Sequence, residues 1–316
     1  MTTLKFRDGD SIPSIGLGTW KSDPEDVKKA VKIALENGYK HIDCAAAYDN
    51  EDAVGEAFKE SFESGNVKRE DIFVTSKLWN NAHKKEDVIP ALKKTLNDLN
   101  LDYLDLYLMH WPVAFKPSVN GFPEKDEDYL SLEEAPLHET LNAMIEAKKQ
   151  GLIKHVGVSN FSKEKLESLK GKVEEMPEMN QVELHPYLPQ NDLYSYCSKE
   201  GILLTGYSPL GSGDRSEGMK ADDEPSLFED DTIKKVAERN NISKGQTLIA
   251  WAKQRGTAVI PKSTNEGRIK ENLESDNIEL SKEDLEDIAN IGKNYRFIDG
   301  EFFVTEGNSY SNIYDE

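Results

Sequence analysis

Long apolar runs are missing from this chain. No stretch of its 316 residues reaches the roughly 18 apolar positions that a membrane-spanning helix needs, and no membrane association is expected. The opening residues MTTLKFRDGD hold no apolar segment that could act as a signal peptide. Cysteine is scarce. Cys44 and Cys197 are the only two, which argues against a disulfide framework and for a reducing, cytoplasmic setting. Positive charge is outnumbered: 39 Lys and Arg face 59 Asp and Glu, for a net charge of −20. A nucleic-acid backbone or an anionic membrane is therefore a poor main partner. The acids are spread along the chain, the pattern of a solvated surface.

Several signature motifs are also absent. Gly16-Leu17-Gly18 runs into Thr19-Trp20 without a third glycine, so the fingerprint of a doubly wound dinucleotide-binding sheet is incomplete. No Tyr is followed four residues later by Lys, and no Gly-x-Ser-x-Gly elbow occurs. Without HExxH, paired cysteines or a carboxylate cluster, no metal is expected.

What is present is alternation. Strand-like cores fall at Ile15–Gly18, Lys40–Asp43, Ile72–Lys77, Asp105–His110, His155–Ser159, Asn180–Leu184, Leu203–Tyr207 and Ala258–Ile260. Helical stripes lie between and after them. In Pro24–Asn37, for example, Val27, Ala30, Val31, Ala34 and Leu35 share one face, Asp23-Pro24 marks a start and Gly38 a stop. Eight such strands with intervening helices predict one (β/α)8 barrel domain over residues 1–316. Leu4–Phe6, Asp8-Gly9 and Ser11–Pro13 read as a hairpin capping its bottom. Three segments break the repeat and should shape the catalytic face: two long loops, Pro112–Glu134 and Gly211–Asp230, and the tail Lys293–Glu316.

Four polar residues stand at or just past strand ends: Asp43, Tyr48, Lys77 and His110. Active sites of such barrels form where strands end. A phenol is too weak an acid at neutral pH unless a nearby ammonium lowers its pKa. Lys77 can be that ammonium, Asp43 its counter-ion, and His110 can orient a substrate carbonyl. Each residue alone has an ordinary structural explanation; four at consecutive strand ends of one face read as a proton-transfer set. In the back half, Ser159-Asn160, Gln181, Tyr207-Ser208 and Lys262-Ser263-Thr264 close later strands, and Arg268 sits on the helix after the last. Two cations and hydroxyls beside a helix start suit a phosphate, with Glu266 and Glu271 as the acids that could instead neutralise them.

These runs resemble the aldo-keto reductase family over nearly the whole chain. The matching motifs are GLGTW (Gly16–Trp20), HIDCAAAY (His41–Tyr48), SKLW (Ser76–Trp79), DLYLMHWP (Asp105–Pro112), GVSNF (Gly157–Phe161), NQVELHPY (Asn180–Tyr187), YSPLGS (Tyr207–Ser212) and IPKS (Ile260–Ser263). The loop SPLGSGDR followed by DDEPSLFED is most similar to the aldehyde reductase branch. The resemblance implies reduction of a small carbonyl compound by NADPH, giving NADP+, with Tyr48 as the acid, Lys77 and Asp43 lowering its pKa and His110 orienting the carbonyl. It implies that Tyr207 stacks on the nicotinamide and that Ser159, Asn160 and Gln181 hold its carboxamide. Ser208, Leu210 and Ser212 would contact the pyrophosphate. Lys262, Ser263, Thr264 and Arg268 would grip the 2′-phosphate and Asn272 the adenine, while Thr19, Trp20 and Asp43 border the same cofactor. Trp20, Trp79 and Trp111, with Tyr48 and His110, would line the substrate pocket. A monomer is expected. Related readings are an aldose or xylose reductase and a non-catalytic NADPH-binding regulator. One departure stands out: aldehyde reductases carry an Arg in the C-terminal loop, whereas nothing after Arg296 here is basic. Asp299, Glu301, Glu306, Asp315 and Glu316 stand there instead, which predicts a poor fit for carboxylate-bearing aldehydes, unless Lys116 or Arg215 anchors them.

Overall fold

A computed structural model describes residues 1–213, 215, 220, 221 and 223–315. Glu316 and parts of the expected second loop, Asp214, Ser216–Met219 and Asp222, lie outside the described residues. A hairpin comes first: β1 (Thr3–Lys5) and β2 (Ser11–Pro13) pair antiparallel, with Leu4 opposite Ile12. Phe6 and Ile12 pack against Phe73, Leu106, Leu108 and Met179, of which Phe73 and Met179 are the first residues of two barrel strands. The hairpin thus plugs the barrel bottom, as the sequence predicts.

The barrel alternates as expected. β3 (Leu17–Gly18), α1 (Pro24–Glu36), β4 (His41–Asp43), α2 (Glu51–Glu63), β5 (Phe73–Leu78), α3 (Lys85–Asp98) and β6 (Leu104–Met109) make the first half. A short antiparallel pair, β7 (Ala114–Phe115) and β8 (Tyr129–Leu130), stands outside the barrel. Then follow α4 (Leu137–Lys149), β9 (Ile153–Ser159), α5 (Lys163–Leu169), β10 (Met179–Glu183), α6 (Asn191–Glu200), β11 (Leu203–Tyr207), α7 (Asp231–Asn240), α8 (Lys244–Gln254), β12 (Ala258–Val259), α9 (Glu266–Glu274) and α10 (Lys282–Ala289). β3, β4, β5, β6, β9, β10, β11 and β12 form one sheet in that order, with parallel neighbours throughout. Parallel bridges from Ile15 to Val259 and from Gly18 to Lys262 close it into a barrel. Closure needs Gly18: a Cβ there would sit 2.7 Å from the Ile260 carbonyl oxygen.

Parallel strands covered on both faces are mostly apolar, and β5 and β6 are buried at every position, the polar Thr75, Ser76, Lys77 and Asp105 included. Helices such as α1 bury one stripe, whereas α8 is buried at every position from Thr247 to Lys253. In α1, Val27, Ala30, Val31, Ala34 and Leu35 face the barrel, and burying each larger aliphatic side chain contributes about 1.5–3 kcal/mol. A charged residue at Val31 would break that face. The strand boundaries differ from the sequence expectation by one or two residues, because apolar character alone does not say where hydrogen bonding begins. The expected first strand shortens to Leu17–Gly18, and Ile15 contributes only a bridge.

Candidate active site

Strand geometry delivers the four polar residues together. Asp43 ends β4, Lys77 is the penultimate residue of β5, and His110 follows β6. Tyr48 ends a 3₁₀ turn, Ala46–Tyr48, which closes on Asp49 in the left-handed conformation (φ 52°). Lys77, 1% exposed, is ion-paired to Asp43 Oδ1. Its ammonium also donates to the Cys44 carbonyl at 2.9 Å and to Tyr48 Oη at 3.1 Å. Gln181 Nε2 donates to the other Asp43 oxygen at 2.7 Å, and Thr19 Oγ1 to the Asp43 carbonyl at 2.8 Å. A buried charge pair persists only when its remaining hydrogen-bonding capacity is filled, and here it is.

Burial pushes the Lys77 ammonium down, but Asp43 and Tyr48 outweigh it and the net direction is up. The ammonium is therefore permanent at any working pH. Burial is also the largest influence on Tyr48 and raises its phenol; Lys77 opposes it without reversing it. The expectation of a net-lowered Tyr48 needs this correction: the ammonium acts in the expected sense, and desolvation is stronger. Burial, with help from Lys77, holds His110 well below the ordinary histidine range. Its imidazole is neutral, so it can orient a carbonyl but is no source of protons at neutral pH.

Above this floor opens a cavity of about 800 Å³. One end is apolar. Trp79 lies edge-on to His110 (5.3 Å between centroids) and to Phe122 (5.6 Å), while Trp111 lies edge-on to Phe302 (5.7 Å). Trp20 stands 6.5 Å from the Tyr48 ring, and Ile298 completes the wall. All three tryptophans expected there line the cavity, with Tyr48 and His110.

The cavity then runs across the barrel mouth. Ser159, Asn160, Gln181, Tyr207, Ser208, Leu210, Ser212, Lys262, Ser263, Thr264, Arg268 and Asn272 all line it, as do Thr19 and Asp43. Asn160 and Ser208 adopt left-handed backbones (φ 64° and 49°). Asn265 Oδ1 caps α9 by accepting from the Arg268 N–H at 3.0 Å, so a helix start, two cations and two hydroxyls converge, a favourable place for an anion. Of the two acids named from sequence as possible partners, Glu266 pairs with Lys270, and Glu271 accepts from Ser243 Oγ.

Some contributors were not visible in sequence. Phe122 comes from the first long loop, Phe228 from the second, and Ile298 and Phe302 from the tail; Ser243, Lys244 and Gly245 come from the start of α8. The signal for Phe122 and Phe302 was an aromatic in an otherwise polar, aperiodic stretch. The tail acids need correcting. Asp299, Glu301 and Glu306 are exposed and line no part of the cavity; Asp315 pairs with Lys165, and Glu316 lies outside the described residues. Neither suggested anchor reaches the cavity. Lys116 is exposed elsewhere, and Arg215 is held by Glu224 and the Phe297 carbonyl.

The barrel, its mouth-facing polar quartet and the long cavity define an oxidoreductase class. The family model described as "Aldo/keto reductase family" matches residues 14–293, and this chain belongs to that family. It is 48% identical to an aldo/keto reductase of Synechocystis sp., slr0942, over 100% of this chain and 97% of that protein. It is 48% identical to aldo-keto reductase family 1 member A1 of Gallus gallus, over 92% of this chain and 88% of that protein. The Homo sapiens protein of the same name is 45% identical over 92% of this chain and 89% of that one. Aldo-keto reductases draw on nicotinamide cofactors and act on small carbonyl compounds.

Proposed function

We propose that the chain reduces aldehydes, and some ketones, to alcohols with NADPH, Tyr48 giving the proton. The observation that carries this is the Lys77 ammonium, buried between the Asp43 carboxylate and the Tyr48 phenol at the cavity floor. The cavity fits the dinucleotide: it runs from this floor to the cations and helix start at α9. Asn160, Ser159 and Gln181 would hold the carboxamide, Tyr207 would stack on the nicotinamide ring, and Ser208, Leu210 and Ser212 would meet the pyrophosphate. Lys262, Ser263, Thr264 and Arg268 would take the 2′-phosphate, which is the reason to favour NADPH over NADH, and Asn272 the adenine. When bound, the nicotinamide supplies a hydride.

The protein's own part is protonic and electrostatic. Neutral His110 orients the carbonyl toward Tyr48. Tyr48 Oη gives its proton to the carbonyl oxygen, and the phenolate left behind rests against the Lys77 ammonium, whose charge Asp43 balances. The tryptophan and phenylalanine wall excludes water and favours apolar, uncharged aldehydes. The unpaired, buried Cys44 and Cys197 support a cytoplasmic setting, and we take the protein to act as a monomer. NADPH oxidation with a panel of aromatic aldehydes, sugars and acid-bearing aldehydes tests the activity. No turnover of any member would overturn it; turnover of pentoses above all others would move it to the sugar reductases.

A further inference from the structure

Tyr314 is nearly buried, 9% exposed, although it lies in a tail of little regular structure. Its phenol reaches the barrel mouth. Tyr314 Oη stands 3.0 Å from the Ile298 carbonyl and 3.3 Å from Asn160 Oδ1, with the Tyr207 hydroxyl 3.4 Å away. Tyr207 Oη donates to the same Asn160 oxygen at 2.7 Å. The other end of the Asn160 amide donates to the His110 carbonyl at 2.9 Å and to Ser159 Oγ at 3.2 Å.

The ring is fixed from all sides. The Arg296 guanidinium lies 3.7 Å from its centroid, and Trp111 meets it edge-on at 6.3 Å. Its own segment is pinned on either side. Ile298 N–H donates to buried Glu183 at 2.8 Å, and Asp315 takes hydrogen bonds from Ser162 and Lys165.

An Asn amide has an acceptor end and a donor end that differ only by a half-turn. Two phenols on Oδ1 fix that choice. We propose that Tyr314 is a positioning residue: with Tyr207 it holds the amide orientation of Asn160, and it couples the tail, through Ile298, to the nicotinamide end of the cavity. This rests on the reading of Asn160 and Tyr207 as nicotinamide-side residues. Without the Tyr314 hydroxyl, Asn160 Oδ1 keeps Tyr207 as its donor but loses its second one, and the amide is held less firmly toward the carboxamide. The tail and the cofactor seat then lose their link.

The test separates the two ends of the cofactor. Tyr314→Phe keeps the ring and removes only the hydroxyl. The expected result is a three- to tenfold rise in the dissociation constant of NADP+, about what one hydrogen bond contributes. Affinity for adenosine 2′,5′-bisphosphate, which has no nicotinamide, should stay within about twofold of wild type. Tyr310→Phe is the control, because Tyr310 Oη serves the same tail by bonding the Leu130 carbonyl at 2.7 Å and the Ala114 N–H at 2.9 Å, away from Asn160. An unchanged NADP+ affinity in Tyr314→Phe, or an equal loss in Tyr310→Phe, overturns the inference. If Asn160→Ala binds NADP+ as well as wild type, the underlying reading of the nicotinamide seat fails instead.

Discussion

At the scale of single residues, Lys77 and Tyr48 are joined by one 3.1 Å contact but carry different burdens. Tyr48 is partly open to the cavity, and its phenol serves chemistry. Tyr48→Phe should cut aldehyde turnover by about 10²–10⁴ while leaving NADPH binding and the melting temperature near wild type. Lys77→Met should lose activity and stability together, because it strands the Asp43 carboxylate in the core at a cost of roughly 3–5 kcal/mol. Paired melts and turnover measurements separate the cases; a Tyr48→Phe enzyme keeping a tenth of its turnover would remove the acid role. Arg268 poses a second, cleaner question. Arg268→Ala should weaken NADPH binding about tenfold or more and leave NADH nearly untouched, as expected for one charge-assisted phosphate contact. Equal losses for both cofactors in a fluorescence titration would refute the 2′-phosphate role. The quartet was legible in sequence because strand ends in a barrel converge by construction. Tyr314 was not, since its contact with Asn160 spans 154 positions and follows no periodicity.

At the scale of elements, α2 begins on a buried acid that no motif announces. Glu51, 4% exposed, accepts from Ser76 Oγ of β5 at 2.5 Å and from Thr95 Oγ1 of α3 at 3.0 Å. It ties two helices to the strand that carries Lys77. The residue before it, Asn50, donates to the carbonyls of Thr19 and Ser22, both at 3.0 Å, so the loop bearing Tyr48 is held at its far end. Burial lifts the Glu51 carboxyl from 4.5 to about 7. The sign follows from linkage. A folded-state pKa above the unfolded one gives stability that is fully present below the unfolded value and lost as pH rises through the folded value. Glu51 should therefore cost the fold stability between about pH 4.5 and 7, by at most about 3 kcal/mol. Glu51→Gln, which cannot ionise, should show a flatter stability profile over that window. Denaturant melts at pH 5, 6 and 7.5 read the difference between the two proteins; parallel profiles would rule Glu51 out. Elements were legible to within a residue or two wherever apolar periodicity ran long. The β7–β8 pair was not, because two-residue strands carry too few positions to show an alternation.

At the scale of the whole molecule, two effects bear on an acid-bearing aldehyde. The net charge of −20 repels it at long range, and the apolar wall of Trp20, Trp79, Trp111, Phe122, Ile298 and Phe302 strips its carboxylate of water at short range. The sequence suggested that the tail acids do the discriminating, but Asp299, Glu301 and Glu306 are exposed and line no part of the cavity. The two effects respond differently to salt. Long-range repulsion between exposed charges is largely screened beyond about 8 Å at physiological ionic strength, and further as salt is added. Lost hydration is not screened at all. An uncharged aromatic aldehyde should therefore show a higher kcat/KM than a glucuronate-type aldehyde, and most of that gap should survive from 0.05 M to roughly 0.5 M salt. Steady-state comparison of the two substrates across that series decides the matter. A gap that closes with salt would return the discrimination to the surface charge. A glucuronate-type substrate that is better at low salt would mean that a cation reaches the wall, against the positions of Lys116 and Arg215.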